Sequence, residues 1–116
     1  MPCYVDDVEH SFGNMKMCHL WADTEAELLA MVDAIGVQRK WMQRPPKASW
    51  VHFDIAKSKK ARAILLGAIL TDRYGPLEHV ARLDIASGEP ARVIRGQKRI
   101  GDIEAARLVR QGEARP

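Results

Sequence analysis

Cysteine is scarce in this chain: Cys3 and Cys18 are the only two among 116 residues. Two thiols cannot staple a small secreted scaffold, and both lie in apolar-alternating segments, so they read as reduced core cysteines of a cytoplasmic protein. Long apolar runs are missing too, and the N-terminus lacks a basic region followed by an apolar block, so neither a membrane span nor a secretory leader is expected. No H-E-x-x-H, C-x-x-C, P-loop or G-x-S-x-G pattern occurs. Covalent catalysis is not expected either, because Cys18 falls on a core face and Ser49 and Ser58 have no base at fixed spacing.

Net charge is small at +3 but unevenly spread. The segment from Arg39 to Lys60 and the C-terminal arginines are basic, while the first thirty or so residues lean acidic. Such asymmetry suits an anionic partner, whether nucleotide or nucleic acid. The apolar share is 47%, enough for a globular core in a chain of this length.

The most informative stretch is Ser49 to Ile55. Val51, Phe53 and Ile55 alternate with Trp50, His52 and Asp54, so a strand here turns one face to a core and carries an imidazole and a carboxylate on the other. Cys3 to Val8 reads as a short strand ending in Asp6 and Asp7. Gly13-Asn14 is a turn signal, and Met15 to Ala22 alternates again, with Met17, His19 and Trp21 on one face and Cys18, Leu20 and Ala22 on the other. Thr24 and Glu27 form a capping box for a helix that buries Leu28, Leu29, Val32 and Ile35 and stops at Gly36. Val37 to Met42 reads as a strand, followed by a basic Pro45-Pro46 loop flanked by Trp41 and Trp50.

Ser58 can cap a second helix through Leu66 that carries Ala61, Ile64 and Leu65 inward. Ala68 to Thr71 reads as a short buried strand, and Pro76 suits the first position of a third helix. Beyond Leu83 the pattern loosens: Val93-Ile94 followed by Gly96 makes at most a brief strand, then a last helix is expected from Asp102 through Gln111 with Ile103, Ala106 and Val109 inward. The tail from Gln111 to Pro116 should fray. The fold expected is α/β, a single small domain whose mixed sheet carries packed helices. Residues 1–74 form its core and 75–116 a helical C-terminal extension.

The polar residues worth linking are Asp6, Asp7, His19, Asp23, His52 and Asp54. His52 and Asp54 lie about 6–7 Å apart at Cα on one strand face. His19 and Asp23 converge only if the chain turns at Asp23 into the first helix. If the strands bearing His19 and His52 are neighbours, imidazoles and carboxylates meet at one end of the sheet. That mixture suits a divalent metal on His19, His52 and Asp54, or a general acid/base pair. Blander roles compete: Asp23 can assist the helix start, His52 can bond across the sheet, and Asp6 or Asp54 can pair with Arg39 or Lys40.

Several of these blocks occur together in a recognisable order. Tyr4-Val5-Asp6-Asp7, His19-Leu20-Trp21-Ala22-Asp23-Thr24 leading to Glu27-Leu28, Ile35-Gly36, Trp41-Met42-Gln43, His52-Phe53-Asp54 and Gly67-Ala68 resemble the bacterial and phage family called domain of unknown function 4031. The resemblance covers about residues 3 to 72 and implies that the part up to Thr71 is the domain core. It supplies no activity and no catalytic residue.

Three functions are therefore open. The first is a pocket binding a phosphorylated small molecule or nucleotide, with Arg39, Lys40 or Arg44 on the anion, Trp41 stacking, and His19, Asp23, His52 and Asp54 orienting the ligand. The second is a metal-dependent phosphoester hydrolase. The third is a nucleic-acid or protein-binding module that uses the basic Arg39 to Lys60 region.

Overall fold

Strand β3 (Met15–Ala22) is the axis of the sheet, because every alternate residue from Cys18 to Ala22 is buried and its partners line both of its edges. The computed structural model describes residues 2–114. On one edge, β3 pairs antiparallel with β1 (Cys3–Val5) through Leu20 to Ala22 and with β2 (His10–Phe12) through Met15 to Met17. On the other edge it pairs antiparallel with β4 (Phe53–Ala56) through Met17 to Leu20. Leu20 therefore lies between Val5 and Phe53, and Met17 between His10 and Ala56. A two-residue strand, β5 (Ile69–Leu70), adds parallel to β1, which makes the five-stranded sheet mixed.

The hairpin joining β2 to β3 turns at Gly13-Asn14, where Gly13 has φ 58°. A positive φ at the first central residue is what a II′-type hairpin turn requires, and glycine adopts it without a Cβ clash.

Helix α1 (Glu25–Ile35) starts where the capping box predicts. The Glu27 N–H donates to the Thr24 hydroxyl oxygen at 3.2 Å. The Glu27 carboxylate, expected to reach back to the cap backbone, instead accepts from the Thr24 hydroxyl at 2.7 Å. Leu28, Met31, Val32 and Ile35 are buried, with Leu29 packed at the margin. Gly36 ends the helix in the left-handed region.

The strand expected over Val37 to Met42 is replaced by a single 3-10 turn, Arg39–Trp41. The Arg39 guanidinium grips the Asp33 carboxylate at 3.0 and 2.6 Å, and the Trp41 N–H donates to the Gln38 carbonyl. This tie folds the chain back on the end of α1, where a strand would carry it away. Helix α2 (Lys57–Leu65) follows β4 directly, with Ala56 rather than Ser58 at its N-cap. Its buried residue is Ala63, while Ala61, Ile64 and Leu65 are exposed. A methyl group at the contact lets the helix backbone approach the sheet more closely than a long side chain would. β5 is half exposed, not buried as expected. The core of this part is one cluster that includes Cys3, Val5, Cys18, Leu20, Leu28, Val32, Ile35, Phe53 and Ile55.

The described residues divide into two compact units, one up to Arg73 and one from Tyr74 onward. The second is a helical hairpin of α3 (Gly75–Ala86), with Pro76 in its first turn, and α4 (Pro90–Ala114). No strand forms at Val93-Ile94 and no helix begins at Asp102. Proline at the first helical position suits helix entry, and Gly96 lets α4 sit against the α3 backbone beside the Ala81 carbonyl. Ile103 is buried as expected, whereas Val109 is exposed. Asp84 is buried between Arg92 and Arg95, whose Nε atoms lie 3.0 and 3.3 Å from its oxygens. The fraying expected from Gln111 does not reach residues 111–114, which are helical, and its last two residues lie outside those described. Among the described residues no helix is long and apolar enough to cross a membrane.

Candidate metal centre

The antiparallel register of β3 and β4 sets His19 directly opposite Asp54. Directly opposed residues share a sheet face with Cβ atoms about 4.5–5.5 Å apart. Their sequence neighbours Cys18, Leu20, Phe53 and Ile55 are all buried, so His19 and Asp54 point away from the core. His10 is opposite Met17 on β2, one pleat along the same face from His19. His52 precedes Asp54 by two residues and is fixed by a β-bridge with Gln43, whose N–H and carbonyl bond to those of His52 at 2.9 and 3.0 Å.

Three imidazoles thus converge on one carboxylate oxygen. Asp54 Oδ1 lies 3.7 Å from His10 Nε2, 3.9 Å from His19 Nε2 and 3.7 Å from His52 Nε2. These separations exceed hydrogen-bonding distance. The other oxygen, Oδ2, accepts from the Gln43 side-chain amide at 2.5 Å. Among the described residues, Asp54 Oδ1 and His10 Nε2 are the buried side-chain polar atoms with no hydrogen-bond partner. His10, His19 and Asp54 present ligand atoms that all lie within 4.8 Å of one another.

Two of the rings, His19 and His52, are held from behind. Asp6 is fully buried, and its Oδ2 lies 2.6 Å from His19 Nδ1 while its Oδ1 accepts the His19 backbone N–H at 3.0 Å. In the neutral ring the Nδ1 proton goes to Asp6 and the Nε2 lone pair faces Asp54. His52 Nδ1 lies 3.1 Å from the Trp50 carbonyl oxygen, so its N–H donates there and its Nε2 lone pair also faces Asp54. The Trp50 ring stacks on His52 at a centroid distance of 4.2 Å and meets the Trp21 ring edge-on. The two environments move basicity in opposite directions. The hydrogen bond to Asp6 raises the His19 pKa against the effect of burial, with the Asp6 and Asp54 charges adding to the rise. Burial lowers that of His52, partly offset by the Trp50 carbonyl and Asp54.

A cleft of about 400 Å³ opens beside the cluster. His10, Gln43 and Asp54 form its polar part, and Phe12, Met15, Met17, Val37 and Trp41 form its apolar walls.

Of the residues singled out in the sequence, His19, His52 and Asp54 come together, with Asp6 behind them. Asp23 stands apart: its carboxylate accepts from the Tyr4 hydroxyl at 3.3 Å. Arg39 is paired with Asp33, Arg44 with Glu25, and the Lys40 ammonium lies 5.1 Å from the centre of the exposed Trp41 ring. Neither Asp6 nor Asp54 takes Arg39 or Lys40 as partner; His19 and Gln43 hold them instead. Sequence reasoning missed His10 and Gln43. The available signal for His10 was the two-residue Gly13-Asn14 turn, which counts Phe12 opposite Met15 and therefore His10 opposite Met17.

The fold and site define a small α/β domain with a histidine and aspartate cluster on the outer face of its sheet. The chain belongs to the family described as Protein of unknown function (DUF4031), whose profile matches residues 3–86. The match runs through α3, further than the limit near residue 72 that the sequence blocks suggest. No curated protein and no solved structure matches the chain.

Proposed function

We propose that the chain binds a divalent cation through His10, His19 and Asp54, with His52 beside them, and uses it to activate water for hydrolysis. One observation carries this reading: two buried polar atoms, Asp54 Oδ1 and His10 Nε2, face each other across 3.7 Å with no hydrogen-bond partner for either. Buried polar groups are rarely left so, and an ion is one of the few things that satisfies both at once. The donor set of imidazole nitrogen and carboxylate oxygen suits a borderline ion such as Zn²⁺. Tetrahedral bonds of about 2.0–2.1 Å bring donors to roughly 3.3–3.4 Å from one another. The gaps of 3.7–3.9 Å to Asp54 Oδ1 need to close by a few tenths of an ångström, and the His10 and His19 ligand atoms, within 4.8 Å of each other, need to come together as well.

The outer partners support the same reading. A ligating imidazole commonly gives its other N–H to a carboxylate or a backbone carbonyl, which fixes the tautomer and the ring. Asp6 does this for His19. Three protein ligands leave a coordination position for water, the arrangement of catalytic rather than structural zinc sites. A phosphorylated ligand held by Arg39 or Arg44 has less support, since each already pairs with a carboxylate. A cytoplasmic setting is supported by Cys3 and Cys18, both buried and unpaired.

Calorimetric titration of the metal-stripped full chain with Zn²⁺, and the visible spectrum of its Co²⁺ complex, test the site. One ion per chain is expected. His10→Ala and Asp54→Asn should each weaken binding by more than the roughly 10–100-fold typical of losing an outer hydrogen-bond partner. No binding, or binding indifferent to both substitutions, removes the proposal.

A further inference from the structure

We infer that the substrate is an uncharged carboxylic ester, its carbonyl at the cation and its hydrocarbon part among Phe12, Met15, Met17, Val37 and Trp41. This rests on the metal-site reading and adds the substrate class to it.

The charge of the cleft decides between ester types. A phosphate monoester carries about −1.5 to −2 at neutral pH, more than one divalent cation already shared with Asp54 offsets, and burying the excess is costly. The described residues that line the cleft include Asp54 and no lysine or arginine. Of the basic side chains nearest in sequence, Arg39 pairs with Asp33 and Arg44 with Glu25, while the Lys40 ammonium lies over the exposed Trp41 ring, 5.1 Å from its centre. A neutral ester meets no such penalty and gains from the apolar walls. The volume of about 400 Å³ falls in the range of small-molecule sites, roughly 300–1,000 Å³. Two methionines in the wall can adjust to acyl groups of different shape. Gln43 and Asp54 are bonded to each other at the polar part, so the reacting end and the apolar end of a bound ester are distinguished.

The reaction consumes one water. Bound to the cation, water gives a proton to solvent, and the hydroxide adds to the carbonyl carbon. The carbon–oxygen bond to the alcohol then breaks, the alkoxide takes up a proton from solvent, and the acid leaves as carboxylate with release of one further proton.

The test uses the zinc-loaded full chain with para-nitrophenyl acetate, butyrate and hexanoate, and with para-nitrophenyl phosphate. Turnover of the carboxylic esters alone is expected, lost on chelation, with kcat/KM rising up to about fourfold per added methylene as apolar surface is buried. Met15→Glu and Trp41→Ala, at exposed positions that tolerate change, should flatten this rise and leave zinc content unaltered. Zinc bound without ester turnover, faster turnover of the phosphate ester, turnover that survives chelation, or no dependence on acyl length each overturns the substrate assignment and leaves the metal site standing. Failure to bind zinc overturns both.

Discussion

Asp6 holds His19 at two points: one carboxylate oxygen takes the backbone N–H at 3.0 Å and the other lies 2.6 Å from the ring Nδ1. The first bond continues the edge of β3 just where β1 ends, so the same residue closes the sheet edge and orients the imidazole. Asp6→Asn keeps the shape and removes the charge. The His19 pKa should fall, and zinc affinity should drop by about 10–100-fold, the usual effect of losing such an outer partner. Titration of the ring by NMR and calorimetry of zinc binding read the two effects separately. An unchanged His19 pKa in the variant would show that the carboxylate does not govern the ring.

The opposed shifts of His19 and His52 give the site a pH dependence of definite sign. His19 is raised above the ordinary imidazole value by its bond to Asp6, and His52 is lowered by burial. A metal ligand must be deprotonated, so a cation competes with the proton on His19. Zinc affinity should therefore climb as pH rises through the His19 value and level off above it, with a proton released on binding in the lower range. In the metal-free protein, stability contributed by His19 is present below the unfolded imidazole pKa and is lost as pH rises through its raised folded value. His52 works the other way: its contribution is present above the unfolded pKa and is lost as pH falls through its lowered folded value. Affinities measured from about pH 6 to pH 8, the range in which imidazoles titrate, decide the matter. A flat profile rules out His19 as a ligand.

Much of this site was legible in the pattern of the strands. Period-two alternation puts His19 opposite in face to Cys18 and Leu20, and His52 and Asp54 opposite to Phe53, because burial on one face forces the polar set onto the other. What alternation cannot supply is which strands are neighbours, and the meeting of His19 with Asp54 depends on β3 pairing with β4. His10 escaped because β2 has only three residues, His10–Phe12, two of them exposed, too short to show a period. The strand expected at 37–42 gave way for a related reason: alternation does not reveal the tie from Arg39 to Asp33, six residues back, that accompanies the turn at the end of α1. In α4 the residues Val93-Ile94 are helical rather than extended, and the close packing against α3 that Gly96 permits is a tertiary contact no local pattern shows.

Thr24 gives a test of local sequence dictating structure. Its hydroxyl oxygen accepts the Glu27 N–H at 3.2 Å and its proton goes to the Glu27 carboxylate at 2.7 Å. Thr24→Ala removes both and should destabilise the protein by about 1 kcal/mol, while Thr24→Ser should cost little. Denaturant midpoints at unchanged slope would measure it. Equal loss in the serine variant would mean that the methyl group, not the hydroxyl, is what matters there.

Gly96 sets two effects of known size against each other. Alanine in place of an interior helical glycine is worth up to about 1 kcal/mol from propensity alone. At position 96, however, an added Cβ would stand 2.6 Å from the Ala81 carbonyl oxygen and 2.9 Å from Ile85 Cγ1. The first of these is backbone and cannot swing aside, so α4 must move off α3, and overpacking of this kind typically costs about 1–3 kcal/mol. The clash should win, and Gly96→Ala should lower the melting temperature. Gly101 in the same helix has nothing within 4 Å of an added Cβ, so Gly101→Ala should keep the propensity gain and raise it. If both variants raise the melting temperature equally, the close approach of the two helices at Ala81 is not formed in solution.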